Sequence, residues 1–291
     1  MPASELSYKS ADGTKIVAYR WEPEDALVNA AVQVTHGMGE HARRYEHVAQ
    51  ALNDAGFVVY AQDHRGHGAT ADPAAYGDLG EGGWTALVDD IGLLSEKIRA
   101  DTPGLPLILL GHSMGSFAVQ QYLLDHSADV DGVVLTGTAA IDLLEPALDL
   151  DVPLDLTGFN APFQPARTDY DWLSRDEAIV DAYIADPACG FGIDADSAKV
   201  MFAGARRLAD PAQVAAIRDN LPVYIAVGEA DPVNGGLNLL TPLTERLESA
   251  GLTDVTVRVY PGARHEILNE TNRDDVIAEL NSWLSRVTSA G

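Results

Sequence analysis

The chain contains 291 residues, of which 46% are hydrophobic and 22% charged, a balance typical of one globular core that carries an insertion. Its formal net charge of -25 opposes binding to nucleic-acid phosphates and docking on anionic lipid surfaces, so we expect no nucleic-acid partner. The longest apolar runs, such as 105–110, are far shorter than the roughly 20 residues of a membrane-spanning helix, so we expect no transmembrane segment.

The first residues and the cysteine content favour a cytoplasmic location. The opening MPASELSYKS lacks the basic start and the apolar stretch of a secretory signal. Cys189 has no second cysteine with which to form an intramolecular disulfide, which fits a reducing compartment. We expect this thiol to be buried and not to act as a nucleophile.

Short apolar runs alternate with amphipathic stretches in the first half of the chain. This alternation predicts an α/β fold with a mostly parallel central sheet and helices on both faces. The predicted strands in this half are 15–21, 30–35, 57–61, 107–110 and 132–136. The predicted helices are 40–55, which Gly56 would end, followed by 84–100 and 115–125.

The strand pattern stops between Ala139 and Asn220. Short helices are predicted there at 176–185 and 197–208, among Pro-rich connections. We therefore interpret 139–220 as a helical cap, or lid, inserted into a core formed by 1–138 and 221–291. The predicted elements that complete the core are strands at 223–227 and 255–260 and helices at 237–250 and 274–287.

Ser113 is the predicted nucleophile. It is the third residue of the sequence GHSMG at 111–115, which matches G-x-S-x-G and lies between an apolar strand and a helix. That context is typical of a nucleophile elbow, a strained turn in which side chains at the flanking glycines would collide with neighbouring backbone. The alternative is a serine that only caps the helix.

A serine hydroxyl needs a base to take its proton and a third group to hold that base. Asp231 and His265 each follow a predicted strand, at the sheet edge where an open α/β sheet gathers its site. Their order after Ser113 is that of hydrolases with a nucleophile elbow. We therefore predict His265 as the general base and Asp231 as its orienting acid. The rival candidates are nearby residues of the same types: Glu229 and Glu266 as acids, and His112, His64 and His67 as bases.

Two backbone N–H groups are predicted to stabilise the oxyanion of the tetrahedral intermediate. Met114 follows the nucleophile and supplies one, while Met38, in the loop HGMG at 36–39, supplies the other. No cofactor and no catalytic metal are predicted. The sequence lacks H-E-x-x-H, a phosphate-binding G-x-x-x-x-G-K-[ST], and a G-x-G-x-x-G after the first strands.

These residues lie in blocks that resemble the monoacylglycerol lipase and lysophospholipase branch of the α/β-hydrolases, sometimes grouped with serine aminopeptidases. The blocks are HGMGEH at 36–41, DHRGHG at 63–68, DWLSRD at 171–176 and GARHE at 262–266. The resemblance implies an α/β-hydrolase fold with a lid over an acyl pocket. It also implies the same roles for Ser113, Asp231, His265, Met38 and Met114.

The leading hypothesis is a serine hydrolase that cleaves a small-molecule acyl ester, such as a monoacylglycerol, a lysophospholipid or another neutral ester, through an acyl-enzyme. One alternative is an aminopeptidase or amidase, in which cap carboxylates would bind the substrate ammonium. Another is a non-catalytic binding protein of the same fold. The acidic, leucine-rich segment 142–155 fits either a lid edge that admits an acyl chain or ordinary core packing.

Overall fold

The computed structural model describes residues 3–24 and 27–289. Within these ranges, eight strands form one sheet: β1 (Ser4–Lys9), β2 (Lys15–Trp21), β3 (Ala30–Thr35), β4 (Phe57–Gln62), β5 (Leu107–His112), β6 (Gly132–Thr136), β7 (Val223–Gly228) and β8 (Val255–Tyr260). Their order across the sheet is β1-β2-β4-β3-β5-β6-β7-β8. The first two pairings are antiparallel and the other five are parallel, which confirms a mostly parallel sheet.

The α-helices of the described ranges connect these strands: α1 (Glu46–Asp54), α2 (Gly83–Asp101), α3 (Met114–His126), α4 (Glu177–Ala185), α5 (Ala195–Arg207), α6 (Pro211–Val214), α7 (Leu240–Ser249) and α8 (Arg273–Thr288). None of the helices in this part of the chain is long and apolar enough to cross a membrane.

Helices cover both faces of the sheet. In β6, Val133 and Leu135 pack into a hydrophobic cluster that includes residues of α2, α3 and α7, whereas Val134 packs into a second cluster with residues of α1 and α8. Successive side chains of a strand point to opposite faces, so the two clusters lie on opposite sides of the sheet. Every residue of β3 to β7 is consequently buried.

The structure adds one strand to the predicted elements and corrects the start of two helices. Strand β1 was missed because it lies at the edge of the sheet and its side chains are exposed or only partly buried. The helix predicted at 40–55 begins at Glu46, because the buried carboxylate of Glu40 accepts hydrogen bonds within the preceding loop. The helix predicted at 237–250 begins at Leu240, after a turn in which Leu237 has φ of 74°.

Between β6 and β7 the chain forms helices and 3-10 turns, and none of the described residues 137–222 belongs to a strand. We call residues 139–220 the insertion. The helices predicted at 176–185 and 197–208 correspond to α4 and α5. The acidic, leucine-rich segment 142–155 contains short 3-10 turns and irregular chain instead of a helix.

Candidate active site

Ser113 lies in the turn between β5 and α3 with φ of 50° and ψ of -123°, a backbone conformation that non-glycine residues rarely adopt. The turn is tight because glycines flank it. A Cβ atom on Gly115 would lie 2.2 Å from the carbonyl oxygen of Thr35, and one on Gly111 would lie 2.7 Å from the Cα of Ser116. The turn leaves Ser113 partly exposed and places it in the lining of a cavity.

Asp231 and His265 contact each other at the ends of the neighbouring strands β7 and β8. Both carboxylate oxygens of Asp231 lie 3.0 Å from His265 Nδ1. Both side chains are buried, and Val233 N–H donates to Asp231 Oδ1 over 2.9 Å. The carboxylate therefore fixes the Nδ1–H tautomer, which leaves Nε2 free to accept a proton.

The pKa of His265 reflects two opposing effects. Burial alone would lower it, but the charge and the hydrogen bond of Asp231 outweigh burial and raise the pKa above its ordinary value. The imidazole ring packs against Trp172 and His112, each with ring centroids 4.8 Å away. Burial and the neighbouring His265 lower the pKa of His112 to about 4, so this second ring is neutral at pH 7.

Ser113 and His265 line the same cavity. Among the described residues, no hydrogen bond joins Ser113 Oγ to His265. The hydrogen bonds of the His265 imidazole are those with Asp231. Hydrogen bonds of this kind are often long in a free enzyme and shorten when substrate binds. The geometry places a buried, oriented imidazole and a strained serine in the lining of one cavity.

The rival acids have other partners. Glu266 forms a bidentate ion pair with Arg44 over 2.6 and 2.8 Å, and its second oxygen also accepts from Asn269. Glu229 is exposed and accepts a hydrogen bond from Gly262 N–H over 2.9 Å. Neither contacts His265 through a hydrogen bond in the described chain.

The loop after β3 lies against Ser113, since a Cβ atom on Gly37 would lie 3.2 Å from the Cβ of Ser113. Gly37 N–H donates to Glu40 Oε1 over 2.6 Å, and Gly39 N–H donates to His67 Nε2 over 3.2 Å. Burial lowers the pKa of His67 to about 4, which keeps its ring neutral and able to accept.

Between these two engaged groups lies the backbone N–H of Met38. No described residue accepts a hydrogen bond from it, and the same is true of the N–H of Met114 at the start of α3. Two unpaired donors therefore flank the strained serine. Such donors are the groups that an oxyanion requires, because they are in place before negative charge develops.

A buried ion network beside this loop was not predicted from the sequence. Arg44 Nη1 donates to Glu40 Oε2 over 2.7 Å as well as to Glu266, and Tyr45 donates to Glu40 Oε1 over 2.8 Å. Burial would raise the pKa of Glu40, but Arg44, together with His112 and the hydrogen bonds from Gly37 and Tyr45, outweighs burial and lowers the pKa. The network connects the loop of Met38 to Glu266, the residue that follows His265. The only sign of it in the sequence is the spacing of four residues between Glu40 and Arg44.

The insertion also holds the backbone of the histidine loop. His265 N–H donates to the carbonyl of Trp172 over 3.3 Å, and Glu266 N–H donates to that of Leu173 over 2.8 Å. Arg175 Nε donates to the fully buried carboxylate of Glu270 over 2.9 Å. Residues 172–175 of the insertion thereby help to fix the position of the imidazole.

The cavity at Ser113 encloses about 1030 Å³ of space, part of it open to solvent. Its lining is mainly apolar, and much of it comes from the insertion, including Ile141, Leu144, Leu148, Leu154, Phe159 and Phe202. The segment 142–155 thus contributes leucines to the cavity. An apolar cavity with a few polar groups at the reactive serine suits a substrate with a hydrocarbon chain.

An open α/β sheet with a strained serine after β5 and a buried histidine–aspartate pair after β7 and β8 defines the α/β-hydrolase class. The family model described as "Serine aminopeptidase, S33" matches residues 27–272, so the chain belongs to this family.

The chain is also similar to named lipases and to an esterase of known structure. The chain is 35% identical over 289 residues to a monoacylglycerol lipase of Mycolicibacterium smegmatis, covering 97% of this chain and 96% of the relative. It is 32% identical to a monoglyceride lipase of Mus musculus, covering 97% and 91%. A thermostable carboxyl esterase from Bacillus coagulans in complex with glycerol matches with a TM-score of 0.87 and 30% identity, over 99% of both chains. These relatives confirm the prediction of a carboxylic ester hydrolase and do not favour the amidase or the binding protein.

Proposed function

We propose that the protein hydrolyses the ester bond of monoacylglycerols or closely similar neutral acyl esters, with Ser113 as nucleophile. The observation that carries this proposal is the apolar cavity onto which Ser113 opens. Supporting it are the monoacylglycerol lipases among the relatives and the glycerol bound by the similar esterase. The net charge of -25 favours a neutral head group over an anionic one.

In the acylation step, Ser113 Oγ attacks the ester carbonyl carbon while its proton passes to His265 Nε2. The backbone N–H groups of Met38 and Met114 donate to the resulting oxyanion, and loss of one such donor costs about 3 kcal/mol in comparable enzymes. Asp231 stabilises the imidazolium. When the intermediate collapses, the bond to the alcohol oxygen breaks, and His265 gives its proton to the departing glycerol.

In the deacylation step, water takes the place of the alcohol. His265 Nε2 accepts a proton from the water as its oxygen attacks the acyl carbon, and the same two N–H groups bind the oxyanion again. Collapse of this intermediate releases the fatty acid, and the proton on His265 returns to Ser113 Oγ. The enzyme is thereby restored.

We further propose that the insertion, residues 139–220, acts as a cap over a core formed by 1–138 and 221–291. Leucines of the insertion line the cavity, where they would surround the acyl chain and exclude water from it. A cytoplasmic location belongs to the same proposal, and the lack of a second cysteine supports it.

Two sets of assays test the reaction. Rates on nitrophenyl esters of increasing acyl length and on a monoacylglycerol are compared with the rate on an aminoacyl anilide. We expect ester hydrolysis that increases from short to medium or long chains, and loss of both activity and fluorophosphonate labelling in Ser113→Ala. Faster cleavage of the anilide than of any ester, or full labelling of Ser113→Ala, would refute the proposal.

A pair of variants tests the place of the acyl chain. Leu144 lines the cavity, whereas its neighbour Leu143 is 46% exposed and does not. We expect Leu144→Trp to fill part of the cavity and reduce hydrolysis of long-chain esters more than that of short ones. Leu143→Trp is the matched control and should leave the chain-length profile unchanged. Identical profiles for the two variants would show that the chain binds elsewhere.

A further inference from the structure

Three metal-ligating side chains that the proposed reaction does not use converge at the junction of the insertion and the core. His41 ends the HGMGEH loop, and Asp186 and Cys189 lie in the turn after α4. His41 Nε2 is 3.0 Å from Asp186 Oδ2, and ligand atoms of all three residues lie within 4.8 Å of one another. All three are partly buried, so they are accessible to an ion.

The turn that carries two of these ligands has a spacing familiar from metal sites. Asp186 and Cys189 are separated by two residues, as are the paired ligands of C-x-x-C zinc sites. Asp186 Oδ1 accepts from Ala188 N–H over 2.9 Å, and the carbonyl of Asp186 accepts from Cys189 N–H over 3.0 Å. These bonds fix the turn and leave Oδ2 directed toward His41.

The turn is also held against the core. Gly190 N–H donates to the carbonyl of Gly39 over 3.0 Å, two residues before His41. This hydrogen bond holds the turn with Asp186 and Cys189 beside the loop that carries His41. In a tetrahedral zinc site with bonds of about 2.0 to 2.3 Å, ligand atoms are about 3.3 to 3.8 Å apart. The histidine and aspartate atoms, 3.0 Å apart, are slightly closer than this, and the sulfur lies within 4.8 Å of both.

Charge at this junction favours a cation. Three carboxylates influence the thiol of Cys189, those of Glu40, Asp186 and Glu266, against the single guanidinium of Arg44. Arg44 is itself engaged in ion pairs with Glu40 and Glu266. A thiol must lose its proton to become a zinc ligand, so metal binding at this junction is coupled to release of that proton.

We propose that His41, Asp186 and Cys189 bind a zinc ion that connects the insertion to the HGMGEH loop. On binding, the S–H bond of Cys189 breaks and a Zn–S bond forms, with release of one proton to solvent. The thiolate and the Asp186 carboxylate then balance the two positive charges of the ion. In the free protein, His41 Nε2 donates its hydrogen to Asp186 Oδ2. On binding, that hydrogen leaves Nε2 and the neutral ring takes the Nδ1–H tautomer, so the Nε2 lone pair binds zinc and water fills the fourth position.

Cobalt and zinc binding to the full chain test this proposal. Chelator-treated protein is titrated with Co²⁺, and we expect one equivalent to give a tetrahedral cobalt spectrum with a thiolate-to-cobalt charge-transfer band that Zn²⁺ abolishes. Cys189→Ala should lose this band and bind Zn²⁺ at least about tenfold more weakly. Asp186→Asn should also weaken binding, although its side chain can still accept from Ala188 N–H.

A matched control is available on another face of the molecule. His126 and Asp129 form an exposed pair 3.2 Å apart without a thiol, so His126→Asn should retain the cobalt spectrum of the parent. Zn²⁺ should raise the melting temperature of the parent and of His126→Asn, and not that of Cys189→Ala.

Cys189→Ala should hydrolyse a short ester at the parent rate without added metal, which shows that it folds. Absence of the charge-transfer band in the parent, or the same cobalt binding in parent and Cys189→Ala, would overturn the proposal. The second result would also follow from metal bound at His265 and Asp231. Ester hydrolysis by the metal-free protein is a separate measurement, so failure of the zinc site leaves the proposed function standing.

Discussion

Replacing Asp231 by asparagine tests the proposed roles of the two residues that contact each other beside Ser113. Asparagine has the shape of aspartate and can keep the hydrogen bond from Val233 N–H. Its amide group, however, donates toward His265 Nδ1, which lies 3.0 Å from each oxygen of Asp231. The imidazole then carries its proton on Nε2 and cannot accept one from the serine. We expect kcat/KM to fall about 10⁴-fold, equivalent to about 5.5 kcal/mol of transition-state stabilisation.

The assay is hydrolysis of a nitrophenyl ester over the acidic and neutral pH range, with a melting temperature for each variant. Because Asp231 raises the pKa of His265, the acidic limb of the remaining activity should move to lower pH in Asp231→Asn. Glu229→Gln is the control, since this exposed acid does not contact the imidazole, and its effect should stay within about twofold. A fall of less than about tenfold in Asp231→Asn, or an equal fall in Glu229→Gln, would refute the reasoning.

Three further predictions concern the turn at Ser113, the loop after β3 that contains Met38, and the pH dependence of kcat/KM. Gly115→Ala places a Cβ atom 2.2 Å from a backbone oxygen and should cost about 3 kcal/mol in thermal or denaturant unfolding, whereas Gly158→Ala, which meets no atom within 4 Å, should be neutral. His67→Phe removes the acceptor of Gly39 N–H, so kcat should fall about 10- to 100-fold with little change in KM, and His67→Gln should retain more activity. Since the base must be neutral, kcat/KM should fall as pH decreases through the raised pKa of His265; a midpoint below about 6.5 would contradict this assignment.

Much of the fold and the position of the candidate site follow from local patterns. Strands that are buried on both faces are mostly apolar along their whole length, so β3, β5, β6 and β7 were visible in the sequence. Parallel strands end at one edge of the sheet, which is why residues after β7 and β8 could be expected to meet. Asp231 and His265 do lie in contact, while their catalytic roles and that of Ser113 stay predictions.

What the sequence could not reveal depends on distant partners. Arg44 and Glu266 are separated by 222 positions, and His41 and Asp186 by 145, so no local pattern announces either pair. The late start of α1 has the same origin, because Glu40 forms hydrogen bonds in the loop and does not extend the helix. In the insertion, leucines at irregular intervals contribute to a cavity without forming a helix, so helical periodicity was uninformative there.

The hydrogen bonds from the histidine loop to Trp172 and Leu173 have a consequence for redesign of this enzyme. Exchanging the whole insertion for that of a homologue would replace the segment whose carbonyl groups hold the loop of His265 together with the side chains that line the cavity. A chimera that retains 171–176 and replaces only the leucine-rich stretch would separate the two. The cavity lining could then be changed while the contacts that hold the His265 loop are kept.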